Sequence, residues 1–264
     1  MGEVCLVSGP PGCGKTAWAL QTFQQHDGPC AYLRFEGPSV LGLEQGYNGG
    51  IDSTWLQDQV PQLHAPQKSW NAQAETPAPA SDLLTLIEVQ QFQTPEHPTI
   101  EGCGSEIRAQ LQALHLEPDQ FLHFGRDPEL ATQDTLEFSR LESWHLDLDG
   151  SVWDPDSLNS FWFELVNGAY GDVYRSKALM NLPDGRSFFC NWMVSQQSSQ
   201  FLPLNNVEPP TGRPKRPSEL VVQGRALNPK GIKFTINDCL LDDDGLAMRQ
   251  LQLRDQGSLH TQQD

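Results

Sequence analysis

A chain of 264 residues, 38% of them hydrophobic and including 12 Phe and 7 Trp, has the apolar mass for one large packed domain or two modest ones and is not wholly disordered. Its formal net charge of -17, with 17 Lys and Arg that form no basic run, excludes nucleic acid as a main partner, because tracking phosphates takes clustered cations. The same field repels an anionic membrane surface, no apolar run is long enough to span a bilayer, and nothing after Met1 resembles an export leader, so a cytoplasmic address is expected.

The run Glu3–Ser8 is short and apolar and predicts a buried strand. A glycine-rich loop follows, Gly9-Pro10-Pro11-Gly12-Cys13-Gly14-Lys15-Thr16, and then a helix over Ala17–Gln25 with Trp18, Leu20 and Phe23 as its apolar positions. Gly28-Pro29 breaks the chain before a second strand, Cys30–Phe35. From Gln59 to Ser81 the composition shifts to Pro, Gln, Ala and Asn, which predicts a flexible loop. Asp82–Val89 is a third strand, Ser105–Leu116 a helix and Phe121–Phe124 a fourth strand. Strands alternating with helices predict a mostly parallel sheet with helices on both faces, ending near residue 134.

The second half reads as a small α+β domain over 135–245. Thr135–Leu148 is a strand, and Asp154-Pro155-Asp156 precedes an aromatic helix, Ser157–Asn167. Strands are expected at Gly171–Leu182, Arg186–Ser195 and Glu219–Gly224, with a Pro-rich loop over 203–217 and a helix near Ile232–Leu241. Asp242-Asp243-Asp244 reads as a solvated turn, and residues 246–264 as a polar tail without regular structure. The six cysteines, Cys5, Cys13, Cys30, Cys103, Cys190 and Cys239, are scattered without a CxxC pair and are expected to be free thiols. The seven histidines show no ligand spacing.

The loop carries the chemistry. Gly9, Gly14, Lys15 and Thr16 satisfy every fixed position of G-x-x-x-x-G-K-[ST], with a strand before it and a helix after it. Glycines let such a backbone curl into a nest for phosphate oxygens, and the following helix presents its positive end. Lys15 is therefore assigned to the β- and γ-phosphates and the Thr16 hydroxyl to Mg2+. A second carboxylate for the metal or its water is expected at a neighbouring strand end, where Glu88 and Glu36 stand. Asp127, just after the fourth strand, has the acceptor pair that guanine N1–H and N2 amino groups require; a turn or cap role before Pro128 is the alternative.

Two C-terminal segments resemble a known family. Val166–Lys177, with Gly171, Val173, Arg175 and Lys177, and Arg216–Leu227, with Ser218, Leu220, Val221, Gly224 and Arg225, look like strands of the C-terminal domain of the CobW family of P-loop GTPases. The resemblance implies a P-loop NTPase fold with a CobW-like C-terminal domain, GTP with Mg2+ as cofactors, GTP hydrolysis, and a link to metal handling or cobalamin biosynthesis through a metal-dependent client protein. The family's Cys-x-Cys-Cys motif has no counterpart in the region 46–62, its guanine-reading segment is reduced to Asp127, and ATP stands as the alternative to GTP. A non-hydrolysing nucleotide-binding module that acts through a protein partner is the competing reading.

Overall fold

The computed structural model describes residues 2–35, 50–64, 82–90, 99–125, 127, 142–195 and 200–260. Glu36, most of the expected 59–81 loop, and residues 128–141 lie outside these. The chain divides into two compact units, Met1–Ser139 and Arg140–Asp264.

In the first unit, β1 (Glu3–Gly9), β2 (Cys30–Phe35), β3 (Leu63–His64), β4 (Leu84–Gln90) and β5 (Gln120–His123) form a sheet of order β3-β2-β4-β1-β5. Every pairing in it is parallel. All five strands therefore end at the same edge, with β1 between β4 and β5. Alternation along the strands sorts the two faces. Leu6, Leu33, Phe35, Ile87 and Val89 share one apolar cluster with Leu111 of α3 (Ser105–Ala113). The intervening residues, among them Val7, Tyr32, Arg34 and Glu88, point to the opposite face, where α1 (Lys15–Gln25) and α2 (Gly50–Gln59) lie. This is the α/β P-loop architecture that the alternating pattern predicts.

Two local results refine the expectations. The helix expected over Ser105–Leu116 stops at Ala113, because His115 turns left-handed at φ 52. The His115 N–H then donates to Gln112 O and the Leu116 N–H to Leu111 O, while Leu111 and Leu116 pack in one cluster. These are the paired bonds and the apolar contact of a Schellman stop. At the start of the predicted loop, α2 runs through Gln59 and β3 follows at Leu63–His64, so the residues there are ordered structure.

The second unit holds β6 (Glu142–Asp147), α4 (Pro155–Val166), β7 (Asp172–Asn181), β8 (Ser187–Met193), β9 (Gln200–Pro203), β10 (Glu219–Arg225), α5 (Pro229–Cys239) and α6 (Asp243–His260). Its sheet has the order β6-β10-β7-β8-β9 and is antiparallel throughout. Leu158, Phe161, Trp162 and Leu165 of α4 are buried in one cluster with Ala178, Met180, Leu220, Val222, Ile232 and Ile236. The aromatic helix is thus core, as its spacing predicts. It begins two residues early because Pro155 suits the first turn and Asp154 caps it, accepting from the Ser157 N–H at 3.1 Å.

The polar tail is a correction. Residues 243–260 form α6, and the Asp triplet is its start rather than a solvated turn: Asp242 accepts from the Gly245 N–H at 2.8 Å. Over residues 243–255 of this helix only Leu246 and Gln250 are buried, and the Gln250 side chain bonds the Gly212 backbone in both directions. So narrow an anchor leaves no apolar stripe in the sequence to read. β9 is also an addition, an edge strand of four residues that closes with Pro203.

The C-terminal segments that resemble the CobW family are the adjacent strands β7 and β10, with Lys177 paired to Val221 and Val173 to Gly224. A Cβ on Gly224 would stand 2.2 Å from Asp172 O. The glycine is required because two backbones cross there at contact distance, next to a shift in register.

Candidate functional site

The site is built where β1 ends. Gly9, Gly12 and Gly14 all hold positive φ, at 151, 81 and 102 degrees, and Gly14 caps α1 in the left-handed region. Residues with side chains enter that region only at a cost. Gly9 is constrained twice, since a Cβ there would meet Phe124 Cβ at 2.8 Å and Cys13 Sγ at 2.9 Å. The Cys13 N–H donates back to Pro10 O at 3.4 Å. Cys13 is fully buried under the loop in a cluster with Val7 and Phe124, and burial raises its thiol above the usual value. Pro11 is buried and Pro10 half-buried, which stiffens the loop around the glycines.

Lys15 is buried and folds back over this loop. Its Nζ donates to Gly9 O and Pro10 O, both at 2.9 Å, and lies 3.6 Å from Cys13 Sγ. Glu88 Oε1 stands 3.9 Å from the same ammonium, with both side chains under a tenth exposed. The other Glu88 oxygen accepts from the Tyr32 hydroxyl at 2.7 Å. Burial, and then the nearby Glu88 carboxylate, push the Tyr32 phenol well above its usual 10.0, so it remains a donor. The sequence expectation put Glu88 at a strand end; β4 instead runs on to Gln90, and Glu88 lies inside it, within reach of Lys15.

Thr16 faces a partner that the sequence reading did not name. Its hydroxyl donates to Asp52 Oδ1 at 3.3 Å. Asp52, on α2, is 2% exposed, and its Oδ2 accepts from Arg34 at 3.0 Å. Arg34 and Glu88 are neighbours in the β2–β4 register. Lys15, Glu88 and Tyr32 thus form one set of contacts and Thr16, Asp52 and Arg34 another, brought side by side by the Arg34–Glu88 pairing in the β2–β4 register. The pattern did carry a signal for Asp52, because Ile51, Trp55 and Leu56 are buried at helical spacing around it. Arg34 was visible as the lone charge in an otherwise apolar strand.

Asp127 lies in the turn after β5. Its Oδ2 accepts from the His123 N–H at 2.7 Å, which fits the cap role, while His123 Nδ1 and Ser8 Oγ pair at 2.8 Å across β1 and β5. Glu36 is outside the described residues. Among those residues, no group of three or more His, Cys, Asp or Glu is arranged to hold a metal ion. The six cysteines are free and buried, and no helix of the described residues is long and apolar enough to cross a membrane.

No family model matches the chain, and no curated protein matches it. Among solved structures it is similar to the Zn(II)-bound YjiA GTPase from E. coli, with 12% identity, coverage of 90% of this chain and 98% of that one, and a TM-score of 0.33. A Zn(II)-bound triple mutant of that GTPase gives 11% identity over the same coverage and a TM-score of 0.32. Likeness at this level fixes neither substrate nor reaction, and the chemistry rests on the residues themselves.

Proposed function

We propose that this chain binds a nucleoside triphosphate with Mg2+ at the loop 9–16 and hydrolyses it, with GTP as the nucleotide that the CobW resemblance favours and ATP as the competitor. The observation that carries the reading is the Lys15 ammonium, buried and held on two carbonyls of a loop whose three glycines have positive φ. Neutral carbonyls are weak partners for a buried cation, and phosphate oxygens arriving in that position would make stronger, charge-assisted bonds. The start of α1 adds a second favourable field at the same place. Both act at contact range, which is how an anion is held on a chain of charge -17.

The residues present fit the metal. Magnesium is usually held by one or two carboxylates together with substrate phosphates, rather than by a closed protein cage. The Thr16 hydroxyl supplies one protein oxygen, and the metal, when bound, neutralises charge developing on the β- and γ-oxygens. Lys15 binds and orients the terminal phosphate. Glu88, fixed by Tyr32, is the carboxylate placed to orient a water against it.

Calorimetric titration with GTP and ATP tests this directly. The wild type should bind one of them, and Lys15→Ala should abolish the heat. Equal affinity in the variant would remove the proposal. A second reading, binding without turnover, is favoured by one feature: both Glu88 oxygens face partners, Tyr32 and Lys15. Phosphate release that needs Mg2+ and is lost in Thr16→Ala separates turnover from binding alone. A metal-dependent client, which the CobW resemblance also implies, is tested by whether Zn2+ alters nucleotide affinity.

A further inference from the structure

We infer that Asp52 is the carboxylate that holds the divalent metal beside Thr16, and that Arg34 is the residue that positions it. The inference rests on the nucleotide reading above. It starts from a distance: Thr16 Oγ1 and Asp52 Oδ1 are 3.3 Å apart. Adjacent corners of an octahedron with bonds of about 2.0–2.1 Å lie about 2.9 Å apart. The two oxygens therefore already stand close to the spacing of neighbouring ligands on one magnesium ion, and a shift of a few tenths of an ångström, or a water between carboxylate and metal, completes the fit.

The second observation is how Asp52 is held. An isolated carboxylate only 2% exposed would be protonated or expelled, but this one is paired: one oxygen accepts from Arg34 at 3.0 Å and the other, Oδ1, from the Thr16 hydroxyl. Arg34 is itself anchored in β2 beside Glu88. A carboxylate clamped on one oxygen while the other faces the position of a metal is the arrangement in which outer contacts fix a ligand.

The third observation divides the two acidic groups. Glu88 sits on the Lys15 side of the site, 3.9 Å from the ammonium, with its second oxygen on Tyr32. Asp52 sits on the Thr16 side. The metal role thus falls to Asp52, on α2, rather than to Glu88, on β4, and Glu88 keeps the terminal phosphate and its water.

The test measures Mn2+ and nucleotide together on the full chain, using the γ-imido analogues of GTP and ATP. Analogue affinity is determined in EDTA and in Mn2+, and the ratio is the metal-dependent gain. In Asp52→Asn the affinity in EDTA should stay level or rise, because a negative charge near the phosphates is gone, while the gain should fall about 10–100-fold. Simple structural damage would weaken both. Arg34→Met combined with Asp52→Asn removes both charges of this pair together, so it should fold and still lack the gain. On the wild type, protein labelled with carbon-13 at its aspartate carboxylates should show a hyperfine coupling to bound Mn2+ in electron–nuclear double resonance. A full gain in Asp52→Asn or in the double variant, or no coupling in the labelled wild type, overturns the inference. Absence of any triphosphate binding by the wild type would instead overturn the nucleotide reading beneath it.

Discussion

The two units each contain a five-stranded sheet, and in the first Lys15, Glu88, Thr16 and Asp52 gather near one sheet edge. The difference follows from strand direction. In the parallel sheet of the first unit every strand ends at the same edge, so the residues closing β1, β2 and β4 converge there with the starts of α1 and α2. The antiparallel sheet of the second unit sends alternate strand ends to opposite edges, and its signature residues on β7 and β10 meet as a strand pair instead. Convergence in the first case brings opposite charges together out of water; pairing in the second brings backbones together. One arrangement suits an anion and a metal, the other suits packing.

The comparison breaks most visibly in the second unit's core. Phe161 is 1% exposed and stacks near Trp153 and Tyr170, with ring centroids 5.1 and 6.2 Å away. Phe161→Ala should lower the stability of that unit by about 3–5 kcal/mol, read from the midpoint of urea unfolding followed by tryptophan fluorescence. If the cost is below about 1 kcal/mol, the helix is not core in the sense that its apolar spacing implies. Gly224→Ala comes next. Its new Cβ meets Asp172 O, a backbone atom that cannot rotate away, and a cost of about 1–3 kcal/mol is expected. Ser or Ala tolerated there without loss would show that β7 and β10 can separate, and that the glycine is not a contact requirement.

The same contrast explains what the sequence made legible. The loop was readable because its glycines are fixed by local φ and its strand and helix flank it directly, all within residues 3–25. Glu88 was readable because it follows the apolar run Leu83–Ile87, although β4 itself continues to Gln90. Arg34 and Asp52 stood out only as single positions and Tyr32 not at all, since their roles exist only after folding: Tyr32 meets Glu88 across 56 residues, and Thr16 meets Asp52 across 36. The spacing of Ile51, Trp55 and Leu56 puts Asp52 near a buried face, but which partners it meets is decided only when α2 is packed against β2. The helix α6 escaped for a different reason. Its anchors over residues 243–255 include a cap at Asp242, one buried leucine, one glutamine clamp and ion pairs of Asp243 and Arg249, and two buried positions do not register as periodicity.

Tyr32→Phe sharpens the claim that the first sheet is organised around charge. The change removes one hydroxyl and leaves the ring, which is fully buried and edge-on to Phe23. A hydrogen bond to a charged group contributes about 1.5–3 kcal/mol, so stability should fall by that order. Nucleotide affinity should change little, because Lys15 and the loop are intact, whereas turnover should drop as Glu88 loses its orientation. The reverse pattern, weak binding with normal turnover, would assign the Tyr32–Glu88 pair to holding the loop instead of to the reaction.

The smallest effect tests whether charge matters in the second unit at all. Asp154 caps α4, and burial pushes its carboxyl up, but the Ser157 hydroxyl and N–H and the Arg249 guanidinium pull it further down, to a net position below 3.8. A carboxylate whose value is lower in the folded chain is more readily ionised there, so ionisation favours the fold. Its contribution is complete above the unfolded value and disappears as pH falls through the folded one. Asp154→Ala should therefore cost about 0.5–2 kcal/mol at neutral pH, and the gap from the wild type should narrow on acidification below pH 3.8. Asp154→Asn keeps an oxygen acceptor for the cap without the charge, so it should lose less than Asp154→Ala at neutral pH and show a weaker pH dependence. A gap for Asp154→Ala that stays constant from neutral pH down to acid unfolding would mean that the cap works through its shape and hydrogen bonds, leaving the first unit as the place where ionisation is built into the structure.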